Sequence, residues 1–246
     1  MALKDYNKAF RYGKKEYESR LLAGRKPTLE SLDEILPDEA LSTESLGLVQ
    51  IPIDQIVGTR YSGRSSAFAS NFMPILESNT EFAIKWAKLS TSHEKEGIHE
   101  PIKAWEYMNK FYVEEGNKRV SVLKYFDAVS VPGYVTRILP QRTEQKENKI
   151  YYEYVDFYAL SQINYIWFSR LGSFVRLQKA VGKGAKDIWS DDDKLTFSSV
   201  YSRFAAEYES LGGKKLSITT GDAFLAFLMI YDYKDICQKT VNELKE

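Results

Sequence analysis

Residues 110–126 read KFYVEEGNKRVSVLKYF, and the change of rhythm inside this stretch decides the fold. Phe111 to Val113 has the aromatic and β-branched character of a strand, and strand alternation sends Phe111, Val113 and Glu115 to one face and Tyr112 and Glu114 to the other. Gly116 then lets the backbone turn tightly, and Asn117 is a good N-cap for a helix over KRVSVLKYF. A helix start presents free N–H groups and a partial positive charge, to which Lys118 and Arg119 add two full charges. On these grounds Gly116–Arg119 is a cradle for a phosphate or a carboxylate. The plainer reading is a connecting turn of the kind found throughout αβ proteins.

Working outward, PIKAWEY precedes this strand and joins it through a Met-Asn-Lys turn. Further upstream, NTEFAIKWAKLSTSHEKEG carries Phe82, Trp86, Leu89 and His93 on one helical stripe, stopped by Gly97. LGLVQIPIDQIVG reads as a strand, and VSVPGYVTRILP as another. Between them RYSGRSSAFAS is small, polar and basic. Its Arg60, Arg64, Ser65 and Ser66 offer guanidinium forks and hydroxyls to a phosphate, or simply form a solvated loop.

The N-terminal 45 residues read as helical. Tyr6, Phe10, Tyr17 and Leu21 share helical spacing that Gly24 and Pro27 end, and a second short helix from Thr28 carries Leu29, Leu32, Ile35 and Leu36. Residues 37–46 read as a polar connector. After Pro140 a charged linker, QRTEQKENK, leads to helices at about 161–171, after Ser190-Asp191-Asp192-Asp193 and after the capping box of Thr219 to Asp222, with a last charged helix running to Glu246. The expected class is α+β: a helical arm over 1–45, a small mixed-sheet domain over 46–140 and an all-helical domain over 141–246.

The 34 Lys+Arg residues balance 34 Asp+Glu, which argues against wrapping a polyanion, since such binding depends on releasing counterions from many phosphates. The balance is a sum of opposed blocks, with eight basic against three acidic residues over 1–26 and six acidic against none over 27–45. Cys237 is the single cysteine, so an internal disulfide is excluded, and with His93 and His99 it supplies no zinc set. His93 and His99 flank Gly97 but lack partners for a triad. The aromatics of 151–174 read as packing rather than as a base-stacking surface, and Asp191–Asp193 as a helix start rather than a metal site. No apolar run approaches the roughly 20 residues of a membrane span, and no signal-peptide core opens the chain, so a cytoplasmic location is expected. The sequence stops within a helical pattern, which reads as the front part of a longer protein.

The order IPIDQI, a basic loop, a helix ending EKEGIHEPIKAW, then FYVEEGNKRVSVLKYF and VSVPGYV resembles the ParB/sulfiredoxin superfamily over about residues 47–140. The resemblance implies a small α/β domain whose Gly-x-x-Arg turn, here Gly116, Asn117, Lys118 and Arg119, holds the phosphates of a nucleoside tri- or diphosphate, with or without Mg²⁺. Sulfiredoxins carry their reactive cysteine where this chain has Asn117, so thiol chemistry is not expected. Partition-type ParB proteins continue into a DNA-reading helix-turn-helix, for which residues 150–246 give no convincing match. The superfamily's free-serine kinases activate an acceptor hydroxyl with a carboxylate. This chain has carboxylates nearby, but no motif picks out which one would match. Strand alternation offers Glu115, with Glu114 beside it, as a base or a Mg²⁺ ligand if the face of Phe111 and Val113 is the buried one, the alternative being that both are solvated or paired to Lys118 and Arg119. The chain also looks like the front section of bacterial proteins that join such a domain to a lipoprotein-like substrate-binding module. Three expectations follow from the resemblance: a nucleotide-controlled switch or interaction module; a Mg²⁺-dependent kinase, phosphohydrolase or nuclease; or a partition-like DNA-binding protein. The implied partners are a nucleotide, DNA under the third reading, and a second copy or a fused substrate-binding module.

Overall fold

The computed structural model describes residues 2–36 and 41–238. The chain divides into two compact units, Met1–Gln141 and Arg142–Glu246.

The first unit contains α1 (Ala2–Leu22), β1 (Glu30–Ser31), β2 (Ser42–Pro52), β3 (Ile56–Thr59), α2 (Glu81–Glu96), β4 (Ile102–Tyr107), β5 (Lys110–Glu115), α3 (Asn117–Tyr125) and β6 (Ser130–Leu139). The strands form one mixed sheet in the order β1-β3-β5-β4-β6-β2. β4 and β5 make an antiparallel hairpin, and the parallel pairs β3·β5 and β4·β6 flank it. Its turn residues Met108 and Asn109 both take positive φ, 52° and 59°, as a tight two-residue hairpin requires. The α+β class expected from the sequence is the class observed.

One face of the sheet supplies the core. Ile51, Ile56, Ile102, Ala104, Phe111, Val113 and Val135 pack with Val120 and Leu123 of α3 and with Phe68 and Phe72. A second layer joins Tyr6 and Ala9 of α1 to Ala83 and Trp86 of α2 and Val122 of α3. The polar ends of its large aromatics find partners, as buried polar groups must: the Trp86 indole donates to Ser121 Oγ at 2.8 Å, and the Tyr6 hydroxyl donates to the Leu76 carbonyl at 2.6 Å. The N-terminal arm is thereby fixed to the sheet domain. Gly13 allows the closest approach, because a Cβ there would stand 2.3 Å from the Pro74 carbonyl oxygen.

A buried ion pair locks the hairpin end. Arg137 Nε lies 2.5 Å from Glu106 Oε2, with side-chain exposures of 2% and 0%, and Glu106 Oε1 accepts from the Asn109 N–H at 2.6 Å. The carboxylate thus has both a countercharge and a turn donor, which is what makes a buried charge tolerable.

The elements depart from the sequence expectation in four places of this unit. Residues 28–36 form β1 and a 3-10 turn over Leu32–Glu34 rather than a helix. Proline brackets leave too few residues for a stable helix, and Leu29 and Leu32 serve opposite sides of the sheet, Leu29 in the main core and Leu32 with Tyr112 and Ile138. The polar connector is, from Ser42 onward, part of β2, an edge strand paired only with β6; its exposed Ser, Thr and Glu residues hid the strand. Residues 37–40 lie outside the described residues. The single strand expected over 46–58 is two, β2 and β3, separated by a 3-10 turn over Ile53–Gln55. Finally, Gly116, not Asn117, occupies the N-cap of α3, with φ 108°.

The second unit is helical, with α4 (Lys146–Ser161), α5 (Ser173–Ala180), α6 (Asp191–Ser210), α7 (Thr220–Leu228) and α8 (Tyr233–Gln238). Tyr151, Tyr154, Phe157, Phe168, Phe174, Phe197 and Phe224 are fully buried in it. Ser190 and Thr219 start α6 and α7 with complete capping boxes, as the sequence indicates. The helix expected at 161–171 is displaced to α4. Gln162 at φ 56° stops that helix, and the following residues pack irregularly, with Ile163, Ile166 and Phe168 buried. The linker expected before it already contains the first turn of α4. Beyond α8, residues 239–246 of the expected last helix lie outside the described residues.

Candidate functional site

Gly116 ends β5 and starts α3 in a conformation few other residues adopt. A Cβ there would also meet Ile102 Cγ2 at 2.6 Å. The first helical hydrogen bond runs from the Val120 N–H to the Gly116 carbonyl at 3.0 Å, so the N–H groups of Asn117, Lys118 and Arg119 have no partner inside the helix. They open on a cleft of about 340 Å³ lined by Gly63, Arg64, Ser66, Ala67, Phe68, Phe82, Leu89 and Gly116–Arg119. One wall is thus the helix start, the second a 3-10 helix over Ser62–Ala67 with Phe68 at its end, where the sequence reads as an irregular loop, and the third two side chains of α2.

The cations of this cleft differ in what they are free to do. Arg119 is committed to the protein: its guanidinium donates to the Pro101 carbonyl at 2.6 Å and to the Glu100 carbonyl at 3.3 Å. It ties the loop before β4 to the start of α3. Lys118 Nζ sits over the Phe82 ring at 4.8 Å, and neither Lys118 nor Arg64 forms an ion pair among the described residues. Burial holds the Lys118 ammonium below the ordinary lysine value, with Lys85 and Arg64 pushing the same way and Glu81 opposing. Positive charge is therefore concentrated here, with Glu81 opposing it only in part.

Asn117 is 7% exposed, and its Oδ1 is buried without a hydrogen-bond partner. Its Nδ2 reaches Thr59 Oγ1 only at 3.4 Å. That acceptor lies beneath the surface at the start of α3, out of reach of solvent.

The other residues expected at the site lie apart from it. Arg60 stacks on Trp105 and Tyr61, 5.1 and 5.0 Å from the ring centroids. Ser65 is buried and donates to the Ser62 carbonyl at 2.7 Å, whereas its neighbour Ser66 faces the cleft. Glu114 Oε2 accepts from the Trp105 indole at 2.6 Å. Glu115 is 57% exposed and lies 3.3 Å from Lys103. Neither carboxylate lines the cleft, and no group of three His, Cys, Asp or Glu side chains able to hold a metal occurs among the described residues. The donor set therefore does not fit a protein-held Mg²⁺, which takes one or two carboxylates besides the ligand's phosphates. His93 packs its ring on Phe126 at 5.0 Å, and His99 Nε2 is 2.7 Å from the Glu96 carbonyl; both serve the end of α2.

The apolar wall is the part that sequence reading missed. Phe82 and Leu89 sit on the stripe of α2, where they read as core, and no sequence signal links them to residue 116. A wider groove of about 540 Å³ runs beside α1; there Lys124 Nζ donates to the Ile53 carbonyl at 2.8 Å, and Ser70 and Arg20 hold Glu16. Among the described residues no helix is long and apolar enough to cross a membrane. No family model and no curated protein matches this chain.

Proposed function

We propose that this protein is a phosphate-ligand-binding module, a nucleotide-controlled switch, with the ligand's phosphate on the start of α3 between Lys118 and Arg64. The observation that carries the reading is the convergence of two cations without ion-pair partners and a helix N-terminus on one cleft. An anion there gains from the backbone N–H groups, the helix dipole and both side chains together. The engagement of Glu114 by Trp105 and of Glu115 by Lys103 favours binding over catalysis by these carboxylates. A ligand spanning the cleft bridges the 62–67 segment, α2 and α3, and a shift among these three is the change a partner would sense.

The test is a thermal-melting screen with ATP, CTP, GTP and ADP. A ligand that binds only the folded chain stabilises it by about 2.7 kcal/mol at 100 times its Kd, so at least one nucleotide should raise Tm. Arg64→Ala and Lys118→Ala should each reduce the rise. No shift with any phosphate compound would sink the reading, as would a shift that both variants retain in full.

A further inference from the structure

Resting on the phosphate reading above, we infer that the cleft takes a phosphomonoester, such as a nucleoside monophosphate, without a divalent cation. Its phosphate lies between Lys118 and Arg64 and its apolar body against Phe82 and Leu89.

Charge decides the phosphate count. A phosphomonoester carries about −1.5 to −2 near neutral pH. Lys118, Arg64 and the roughly half charge of a helix N-terminus offset that, while the Arg119 charge is paired with the Glu100 carboxylate at 3.4 Å and its guanidinium is held by the carbonyls of Glu100 and Pro101. A di- or triphosphate brings further negative charge, which in other proteins is offset by a metal that side-chain carboxylates help to hold. This cleft has no lining carboxylate. Glu81, the acid nearest Lys118 in electrostatic effect, is exposed and already 2.6 Å from Lys85.

Size and chemistry of the walls agree. A volume of about 340 Å³ lies at the small end of the roughly 300–1,000 Å³ of ligand pockets. Opposite the cations the lining is apolar, with Ala67, Phe68, Phe82 and Leu89, so the ester body gains by leaving water while the phosphate stays on the charged wall.

The experiment compares Tm shifts of the full 246-residue chain in EDTA and in Mg²⁺, using AMP, CMP, GMP and UMP, their triphosphates and inorganic phosphate. The expected result is a monophosphate whose shift exceeds that of inorganic phosphate, equals or exceeds that of its triphosphate, and is the same in EDTA and Mg²⁺. Arg64→Ala and Lys118→Met should each weaken its binding at least tenfold by calorimetry, with far-UV circular dichroism confirming that both variants fold. A triphosphate that binds tighter than every monophosphate, with or without Mg²⁺, overturns this inference while leaving the phosphate reading intact. Inorganic phosphate matching every monophosphate overturns the role of the apolar wall. Binding that survives both substitutions overturns the site. No response to any phosphate compound overturns this inference and the phosphate reading together.

Discussion

A methyl group at residue 116 would stand 2.6 Å from Ile102 Cγ2, on a backbone held at φ 108°. Gly116→Ala must therefore either strain that residue or push β4 away from the start of α3. Strain of this kind costs about 1–3 kcal/mol. The expected outcome is a lower urea midpoint with an unchanged m value, together with weaker phosphate binding, because the N–H groups that face the cleft follow directly on this turn. A Gly116→Ala protein as stable as the parent would mean that the turn does not need its glycine. The same residue scale shows where sequence reading stops. Gly116, Lys118 and Arg64 could be picked out by type and position, but the capture of Arg119 by the Pro101 carbonyl depends on a loop whose path no local pattern encodes.

Among the elements, α6 starts on a complete capping box. Ser190 Oγ accepts from the Asp193 N–H at 3.2 Å, and the Asp193 carboxylate accepts from the Ser190 N–H at 2.8 Å and from Lys183 Nζ at 2.6 Å. The hydrogen bond from Lys183, then those from Ser190, lower its carboxyl from the ordinary 3.8 to about 2. A carboxyl whose folded value is depressed stabilises the fold above its unfolded value and loses that contribution as pH falls toward the folded value. The difference in Tm between the parent and Asp193→Asn should therefore be constant above about pH 5 and shrink between about pH 4 and pH 2. A difference unchanged down to pH 2 would contradict it. This start was legible because Ser-x-x-Asp before an apolar stripe is a local signal. Elements whose identity depends on distant partners were not. β1 exists through its parallel pairing with Gly58 and Thr59, and the first residues of β2 through theirs with β6. α4 was misplaced because its buried Ile150, Tyr151, Tyr154, Phe157 and Tyr158 belong to an aromatic run that continues past its end, so hydrophobicity alone did not mark where the helix stops.

At the scale of the molecule, neutrality holds half by half. Residues 1–141 carry 19 basic and 19 acidic side chains, which leaves 34 − 19 = 15 of each for residues 142–246. Neither half has the net charge of a polyanion binder, so affinity for phosphate has to come from local placement of the kind found around Lys118. Every residue lining the cleft, from Gly63 to Arg119, belongs to the first unit, whose sheet and helices enclose their own apolar core. The second unit buries its aromatics among its own helices. A domain with its own core can fold alone. The chain cut after Gln141 should thus unfold cooperatively in denaturant, and its affinity for the best phosphate ligand should lie within about threefold of the full chain's, a difference under about 0.7 kcal/mol. Calorimetry on both forms, with circular dichroism to confirm folding, makes the comparison. A shortened protein that folds but binds tenfold more weakly would show that residues 142–246 contribute to the ligand site, and the site would then extend beyond the cleft at the start of α3.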